Sequence, residues 1–337
     1  MQPQEWTRAL AQYRVPDTKR SVFELAITVI PFLALWAAAW LALPISVWAA
    51  ILLAILNAAF LVRIFIIMHD CGHGSFFRNR TVCNWTGRVL GVLALTPYDV
   101  WRQSHAIHHS STGNLDRRGM GDIPTLTVEE YLNRKWAGRA AYRLIRNPIF
   151  LFCVVPIYTF FLQNRLPIGF MWSGWLYWVS AMGTNAAIAG LLAIVFWSGG
   201  LDVLLYVFLP TMIVAASIGF WLFYIQHQFE HTTWEREAGW KLQHAAFFGS
   251  SHYALPGILR WFSANIGVHH VHHLASRIPF YRLDQVLRDH TELAGCQRIT
   301  LYESLHCARL HLWDENGRRL LTFSEALSIA NSKDLSV

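Results

Sequence analysis

Four long apolar stretches alternate with polar regions along this chain. Residues 22–43 and 46–68 contain almost no charge, and each is long enough to cross a bilayer as a helix of about 20 residues. Two further apolar stretches cover residues 176–197 and 203–225. Within each pair the break is short enough to be only a tight turn. The pattern therefore predicts four membrane-spanning helices in two hairpins.

A fifth apolar stretch is shorter and changes the topology if it spans. Residues 149–162 are interrupted by Pro156. A helix of this length is more typical of a re-entrant or interfacial segment than of a span. If it crossed the bilayer, the polar regions on its two sides would lie in different aqueous compartments. We expect it to be re-entrant or interfacial.

Charge placement predicts the orientation in the membrane. The turns inside the hairpins carry almost no charge, whereas the polar regions are basic: Arg8, Arg14, Lys19, Arg20, Arg78, Arg80, Arg88, Arg102, Arg117, Arg118, Arg134, Lys135, Arg139, Arg143 and Arg146. Positive residues accumulate in cytoplasmic loops. Both termini and the central polar segment are therefore expected in the cytoplasm, most simply at a bacterial inner membrane.

Composition supports an integral membrane protein with one domain. Hydrophobic residues make up 54% of the chain and charged residues 15%, against about 25% charged in soluble domains. Without a linker-like segment, residues 1–337 are interpreted as one domain, with a cytosolic helical cap from about 69–148 and 226–337. The net charge of +7 fits loops facing anionic lipid, and no nucleic-acid partner is expected. Five scattered cysteines without a C-x-x-C pair argue against a disulfide framework or a thiolate metal site.

Histidines cluster with repeated spacing in the polar regions. One cluster has the spacing H-x-x-x-H and two share H-x-x-H-H; the members are His69, His73, His105, His108, His109, His269, His272 and His273. Offsets of three and four residues place side chains on one face of a helix. Imidazole suits Zn, Cu, Fe or Ni, and eight imidazoles exceed the four ligands of a tetrahedral zinc. The sequence predicts two metals side by side.

The fourth span continues into another pair with helical spacing, His227 and His231. Each half of the chain then has a hairpin, a protruding helix with two histidines and a helix with three. This repeat predicts two five-histidine half-sites that face each other. His270 breaks the helical spacing and is expected to point away, and no role is assigned to His244, His252, His290, His306 and His311.

Other polar residues near the clusters are candidates for supporting roles. Carboxylates commonly orient metal-binding imidazoles, and the candidates here are Asp70, Asp122, Glu230 and Asp284. Arg63, near the end of the second apolar stretch, is expected to extend to the lipid headgroups. The C-terminal 40 residues are more polar; residues 313–317 are typical of a turn, and no chemistry is assigned there.

The segments 69–73, 105–109 and 269–273 resemble the three histidine boxes of membrane fatty acid desaturases. The resemblance extends over about residues 20–300. Residues 72–77, 113–116 and 265–268 resemble the bacterial omega-6, delta-12-like acyl-lipid branch of that family.

The resemblance implies a di-iron site in an all-α membrane protein, with four transmembrane helices under a cytosolic cap and a tunnel for the acyl chain. It implies that the eight box histidines are metal ligands. A further histidine after the fourth span also ligates in the family, and both His227 and His231 fit that place. His227 matches a position that in acyl-CoA relatives holds a water on one metal, so whether it binds directly is left open, and His231 is favoured.

The activity implied is O2-dependent introduction of a cis double bond into a membrane-lipid acyl chain. The chain lacks a His-Pro-Gly-Gly haem motif, so electrons are expected from a separate ferredoxin-like or cytochrome b5-like carrier. A basic face could dock an acidic carrier, although the positive-inside pattern alone also explains it; its residues are Arg117, Arg118, Lys135 and Arg139.

Two other functions share some of these features. A hydroxylase or ketolase of acyl chains or carotenoids would use the same metal site, and product analysis separates it from a desaturase. A metal transporter or metal-storage protein is disfavoured, since a transporter would place ionisable ligands near the bilayer midplane. Here the clusters follow the ends of the apolar stretches.

Overall fold

The computed structural model describes residues 2–334. The α-helices are α1 (Pro3–Ala9), α2 (Thr18–Ala42), α3 (Val47–His73), α4 (Arg80–Leu93), α5 (Tyr98–Ser111), α6 (Val128–Leu132), α7 (Trp136–Ile145), α8 (Val155–Ile157), α9 (Trp175–Val203), α10 (Leu209–His227), α11 (Leu242–Phe248), α12 (Gly257–Phe262), α13 (His269–Leu274), α14 (Phe280–Asp289), α15 (Thr291–Gly295), α16 (Leu301–Cys307) and α17 (Phe323–Asp334). π-Helical turns cover Phe150–Val154, Tyr158–Leu162 and Leu204–Phe208, and 3-10 turns cover Leu10–Arg14 and Gln163–Arg165.

Short strands modify the all-α expectation. They are β1 (Leu126–Thr127), β2 (His252–Ala254), β3 (Arg298–Thr300), β4 (Leu312–Asp314) and β5 (Arg319–Leu321). β4 pairs with β1 in parallel and with β5 in antiparallel, and β2 pairs with β3 in parallel. The turn predicted at residues 313–317 is found at residues 315–318, between β4 and β5, and residues 313 and 314 belong to β4. All the strands lie outside the long apolar helices.

The first two apolar stretches fold into α2 and α3. α2 begins where the Asp17 side chain accepts the amides of Lys19 and Arg20. α3 ends at Gly74, which has the left-handed conformation that favours glycine (φ 68°). Because α3 continues beyond the predicted span, His69 and His73 lie on its last turns.

The third and fourth apolar stretches form a continuous apolar region, Trp175–His227, that is broken at Gly200. Gly200 has φ 72° and ψ −172°, outside the helical region. Near its start, Ser180 Oγ accepts the backbone amide of Asp99 in α5 at 3.1 Å. At its end, His227 Nε2 lies 3.1 Å from His108 Nε2, also in α5. Because both ends of this region contact α5, the region must fold back on itself. The break at Gly200 marks the position of this turn.

Small residues let α3 and α10 pack closely at the end of the bundle away from the histidines. The Thr211 hydroxyl donates to the Ala54 carbonyl at 3.1 Å, and Ala54 is fully buried. From this contact α3 rises about 22 Å to His69, and α10 rises about 24 Å to His227, at about 1.5 Å per residue. The two helices therefore carry their histidines to the same level.

The described residues contain three helical stretches long and apolar enough to cross a membrane, or four if a bent pair is counted. The bent pair is Trp136–Ile145 with Phe150–Arg165, at 59°. Arg146, at the bend, donates to Tyr224 at 3.1 Å near the end of α10. At the C-terminal end of the second helix, Arg165 donates to Asn185 and to the Leu95 carbonyl, one turn before α5. Both ends of this second helix are therefore held near elements that carry or precede the histidines. That residues 149–162 are re-entrant or interfacial stays a prediction.

Arg63 does not extend to the headgroups as expected. Its side chain is 2% exposed and forms an ion pair with Glu24, which is equally buried. It also donates to Thr28 Oγ1 at 3.0 Å and to the carbonyl of Trp261. The nearby buried carboxylate, on a helix that the sequence pattern treats as uniformly apolar, holds the guanidinium inside the protein.

Candidate metal centre

Nine histidines converge at the end of the helical bundle in two neighbouring groups. The first group contains His69, His73, His105, His109 and His272, and the second contains His108, His227, His269 and His273. Within each group the ligand nitrogens lie within 4.8 Å of one another. These nine are all candidate ligands from the sequence; the tenth, His231, lies outside both groups.

Helical spacing explains how each element presents its imidazoles. α3 places His69 and His73 one turn apart, and α5 and α13 each present three histidines. α10 contributes His227 as its last residue. α3 and α5 approach closely beside His69 and His73. A Cβ at Gly72 would lie 2.8 Å from the ring of Trp101, so glycine at this position allows α3 to pack against that indole.

The grouping differs from the predicted half-sites. His108 belongs to the second group although its sequence neighbours His105 and His109 belong to the first. In the same way, His272 belongs to the first group although His269 and His273 belong to the second. The middle histidine of each H-x-x-H-H pattern therefore crosses to the other group. Sequence spacing shows which residues share a helix face, but the angle between helices decides which of them meet.

The distances between imidazole nitrogens suit ligands of a shared ion. His227 Nε2 lies 3.1 Å from His108 Nε2 and 3.0 Å from His269 Nε2. In the first group His105 Nε2 lies 3.0 Å from His73 Nε2. Two nitrogens each about 2.1 Å from one ion are about 3.0 Å apart at a right angle and about 3.4 Å apart in a tetrahedron. The spacing favours ions with more than four ligand positions.

Burial favours the neutral form of most of the grouped imidazoles, and one of them has a ligand nitrogen without a partner. His69 Nε2 is buried without a hydrogen-bonding partner among the described residues. Burial lowers the pKa of the following imidazoles well below the usual value, and neighbouring imidazoles lower it further: His105, His109, His269, His272 and His273. Neutral imidazole is the form that ligates, so the donor set fits a metal.

Two of the four candidate carboxylates contact these histidines. Asp122 Oδ1 lies 2.6 Å from His108 Nδ1. Asp70 Oδ1 lies 3.3 Å from His69 Nδ1, and its other oxygen accepts the amide of Phe280 at 2.7 Å. The other two candidates lie elsewhere: Glu230 pairs with Arg319, and Asp284 pairs with Arg260 and Arg288.

The structure places His227 in the second group and His231 outside both groups. α10 ends at His227, so the helical spacing to His231 does not exist, and His231 is exposed. The helix ends because Gln228 turns away to bond Thr125 and Arg146. His227 is buried and its Nδ1 lies 3.1 Å from the Gly249 carbonyl, which leaves Nε2 directed into the second group.

The remaining histidines lie outside both groups. His270 points away, as expected, with Nε2 3.0 Å from the Leu293 carbonyl. Two supporting contacts were not predicted: the Gly249 carbonyl behind His227, and Trp101, which stacks on His105 at 4.6 Å. Trp101 precedes His105 by four residues, so helical spacing could have identified it. Nothing in the local sequence marks Gly249.

An apolar cavity of about 310 Å³ leads to the histidines between α3, α5, α10 and the segment 159–168. Three histidines from both groups line it: His69, His105 and His269. Its apolar wall includes Leu61, Phe65, Trp101, Met212, Ala215 and Phe220. An elongated apolar ligand in this cavity would lie against both groups.

The predicted basic face is partly neutralised. Arg117 pairs with Glu237 at 2.5 Å, and Arg118 pairs with Glu130. Lys135 and Arg139 make no ion pair among the described residues. The charge available on this face for an acidic carrier is therefore smaller than its sequence indicates.

Comparison with known proteins gives a consistent result. A family model described as fatty acid desaturase matches residues 46–303. A Bacillus subtilis (strain 168) protein described as a fatty acid desaturase is 41% identical over 317 residues, 94% of this chain and 90% of that protein. A Synechocystis protein described as an sn-1 acyl-lipid omega-3 desaturase (ferredoxin) is 31% identical over 65% of this chain and 61% of that protein. A Picosynechococcus sn-1 oleoyl-lipid 12-desaturase is 25% identical over 68% of this chain and 65% of that protein.

Proposed function

The chain belongs to the fatty acid desaturase family, and from this premise we propose that it introduces a cis double bond into an acyl chain of a membrane lipid, using O2. The observation that carries the proposal is the apolar cavity that ends on histidines of both groups. A cavity of this lining favours a hydrocarbon chain over a polar substrate.

We propose that the two groups hold two iron ions, with the nine grouped histidines as ligands. Iron accepts imidazole ligands, and the nitrogen spacing suits more than four positions. Such a pair would supply O2-dependent oxidation. Removal of two hydrogens from neighbouring methylenes, with two electrons and two protons from outside, reduces one O2 to two waters. Iron analysis of the purified protein checks this assignment.

The protein's own contribution is positioning and exclusion of water. Phe223 lies between the cavity and the second group, with its ring 5.2 Å from that of His108 and 5.3 Å from that of His227. Trp101 covers His105 on the side of the first group. These rings keep the approach to the histidines apolar, so an acyl methylene would reach them without water.

We further propose four membrane crossings, formed by α2, α3 and the two limbs of Trp175–His227, with both termini and the histidines on the cytoplasmic side. The basic polar regions support this orientation. A thiol-reactive, membrane-impermeant label should reach a cysteine introduced at exposed His231 only from the cytoplasmic side.

For the position of the double bond we propose omega-6, delta-12-like chemistry. The relatives include proteins named as 12-desaturases and omega-3 desaturases, and residues 72–77, 113–116 and 265–268 favour the former. The electron donor proposed is a separate ferredoxin-like or cytochrome b5-like carrier; two relatives are named for ferredoxin, which supports the first alternative.

Expression in a bacterial host with only saturated and monounsaturated lipids tests the activity. We expect new cis double bonds, which mass spectrometry of derivatised lipids locates. The variant His231→Ala should behave like the wild type, because this residue is exposed and ungrouped. Unchanged lipids with an iron-loaded, reducible protein would overturn the proposal, and oxygenated acyl chains would indicate a hydroxylase or ketolase instead.

A further inference from the structure

A second cavity, of about 520 Å³, lies on a different face of α3 from the apolar cavity. Residues of α2, α3, α12 and α14 form its walls. Five arginines line it, and we call it the arginine pocket: Arg20, Arg63, Arg260, Arg282 and Arg288. It contains no grouped histidine and so is separate from the candidate metal centre.

The arginines of this pocket are not fully neutralised. Only three carboxylates line it with them, those of Asp17, Glu24 and Asp284. Glu24 is shared by Arg20 and Arg63. Asp284 is shared by two other arginines of the pocket. Asp17 is engaged with the first backbone amides of α2. The guanidiniums therefore exceed the carboxylates by two charges.

Arg282 carries part of this surplus. Its guanidinium has no hydrogen bond or ion pair with a carboxylate among the described residues, and its charge acts on Asp17 from a distance. Arg288 is 67% exposed at its side chain and pairs with Asp284 only. Arg282 is therefore free to bind a further anion, and the exposed Arg288 guanidinium keeps donors beyond its contact with Asp284.

A buried ion pair forms the floor of the pocket. The buried guanidinium of Arg63 stacks 4.1 Å from the ring of Trp261 and bonds Thr28 and Glu24. Separating a buried ion pair would leave an uncompensated charge inside the protein, so these contacts hold Arg63 in place. At the rim, the side chains of Arg260 and Arg288 are exposed.

Exposed apolar residues place the pocket beside the bilayer surface. Val22 and Phe23, two and three residues after Arg20 on α2, are 54% and 52% exposed at the point where the apolar stretch begins. On α12, Ile258 is 69% exposed next to the pocket residue Gly257. A lipid-headgroup site needs apolar side chains that can contact the lipid tails and, next to them, cationic groups for the headgroup. This region of the protein offers both.

We propose that the arginine pocket binds the phosphate of an anionic membrane phospholipid, with the lipid tails along Phe23 and Ile258. Guanidinium forks match phosphate oxygens in charge and geometry, and basic pockets between membrane helices on the cytoplasmic side bind anionic headgroups. This lipid is a bound structural partner and not the acyl substrate, whose cavity lies on another face of α3. The proposal does not depend on the desaturase activity.

Lipid retention and thermal unfolding of the full-length protein in neutral detergent test this site. The probes are phosphatidylglycerol, phosphatidylcholine and inorganic phosphate. The double variant Arg282→Gln/Arg288→Gln removes the free charge, and Arg309→Gln is the matched control, an exposed arginine of the cap outside the pocket. We expect phosphatidylglycerol to bind the wild type and the control alike, and to bind the double variant about tenfold more weakly, the equivalent of one lost charge-assisted contact.

Several results would overturn the proposal. Equal binding of phosphatidylglycerol by the double variant would show that the pocket is not the site. If the wild type retained phosphatidylcholine as well as it retains phosphatidylglycerol, the negative charge of the lipid would play no part in binding. This comparison needs no variant. If inorganic phosphate raised the unfolding temperature and phosphatidylglycerol did not, the pocket would be a site for free anions. If the double variant kept its lipid but accepted electrons more slowly from an acidic ferredoxin, the pocket would be a protein-docking surface.

Discussion

The two histidine groups are built from the same residue type but differ in number and surroundings. The first has five members, of which His73, His105 and His109 are partly exposed. The second has four, all buried, and two of them are oriented from behind by Asp122 and the Gly249 carbonyl. An ion held by the second group would have fewer ligands, so each substitution there would remove a larger share of them. We therefore expect the second group to be more sensitive to the loss of a single contact.

The groups are nevertheless interdependent. His108 and His272 each complete the group that the opposite half of the chain supplies. Neither half can therefore form its own group alone, and metal binding should stabilise the packing of the two halves against each other.

The largest expected effect comes from the crossing histidines. His108→Ala leaves three ligands in the second group, whereas His272→Ala leaves four in the first. We expect His108→Ala to lose about half of the iron and His272→Ala to lose less, with activity reduced more than about 100-fold in both. Iron per chain and lipid analysis measure the two outcomes.

His231→Ala is the control for this pair, since it removes an exposed histidine outside the groups. A loss of iron in His231→Ala would contradict the ligand assignment. A greater loss in His272→Ala than in His108→Ala would reverse the ranking of the groups.

The orienting carboxylates should show the same ranking. Asp122→Asn removes a charge 2.6 Å from His108, whereas Asp70→Asn acts on His69 at 3.3 Å and leaves an oxygen for the Phe280 amide. We expect Asp122→Asn to lower metal affinity or activity about 10- to 100-fold, with a smaller effect for Asp70→Asn. Chelator competition measures the affinities; equal effects would show that these contacts do not distinguish the groups.

Filling the apolar cavity should affect the substrate without affecting either group. A Cβ at Gly219 meets open space, and Gly219 lines the cavity about 12 Å along α10 from His227. Gly219→Leu should shift the product profile toward shorter acyl chains or lower the yield several-fold, at unchanged iron content. Gas chromatography of the lipids measures both.

Gly190→Leu is the matched control, because Gly190 is also open but lies on the exposed face of α9 away from the cavity. A similar loss in both variants would indicate a general effect of bulk on the bundle.

The smallest expected effect concerns His311, a buried histidine outside the two groups, and the pH dependence of protein stability. Burial and the charges of Arg146 and Arg143 lower the pKa of His311 to about 3, and its Nδ1 has no partner among the described residues. The unfolded chain binds a proton near pH 6.5, so His311 reduces stability as pH falls below that value, by about 1.4 kcal/mol per pH unit. This loss continues until the folded-state pKa is reached.

His311→Phe should keep the stacking on Phe323 and remove this loss. Its melting temperature should fall less than that of the wild type between pH 7 and pH 5, with iron content unchanged. An identical pH dependence in the two proteins would show that His311 is not buried in its neutral form.

The long helices and the histidine faces can be predicted from the sequence, whereas the partners of the carboxylates cannot. The apolar stretches became long helices because about 20 apolar residues satisfy their backbone best as helix in lipid. The box histidines within each helix share one face because i, i+3 and i+4 spacing is local to that helix, whereas the packing of the helices brings the boxes together. Glu230 and Asp284 were misjudged because proximity in sequence does not imply contact, and arginines pair with them instead.

The sequence by itself determined the long apolar helices, the histidine clusters that follow them and the family. Only the tertiary structure decided that His227 rather than His231 joins the site, that His108 and His272 exchange groups, and that Asp122 and Gly249 stand behind the second group. The physical reason is that helical periodicity sets which side chains share a face. Where a helix ends and how helices cross depend on contacts between residues far apart in the chain, such as Gln228 with Thr125.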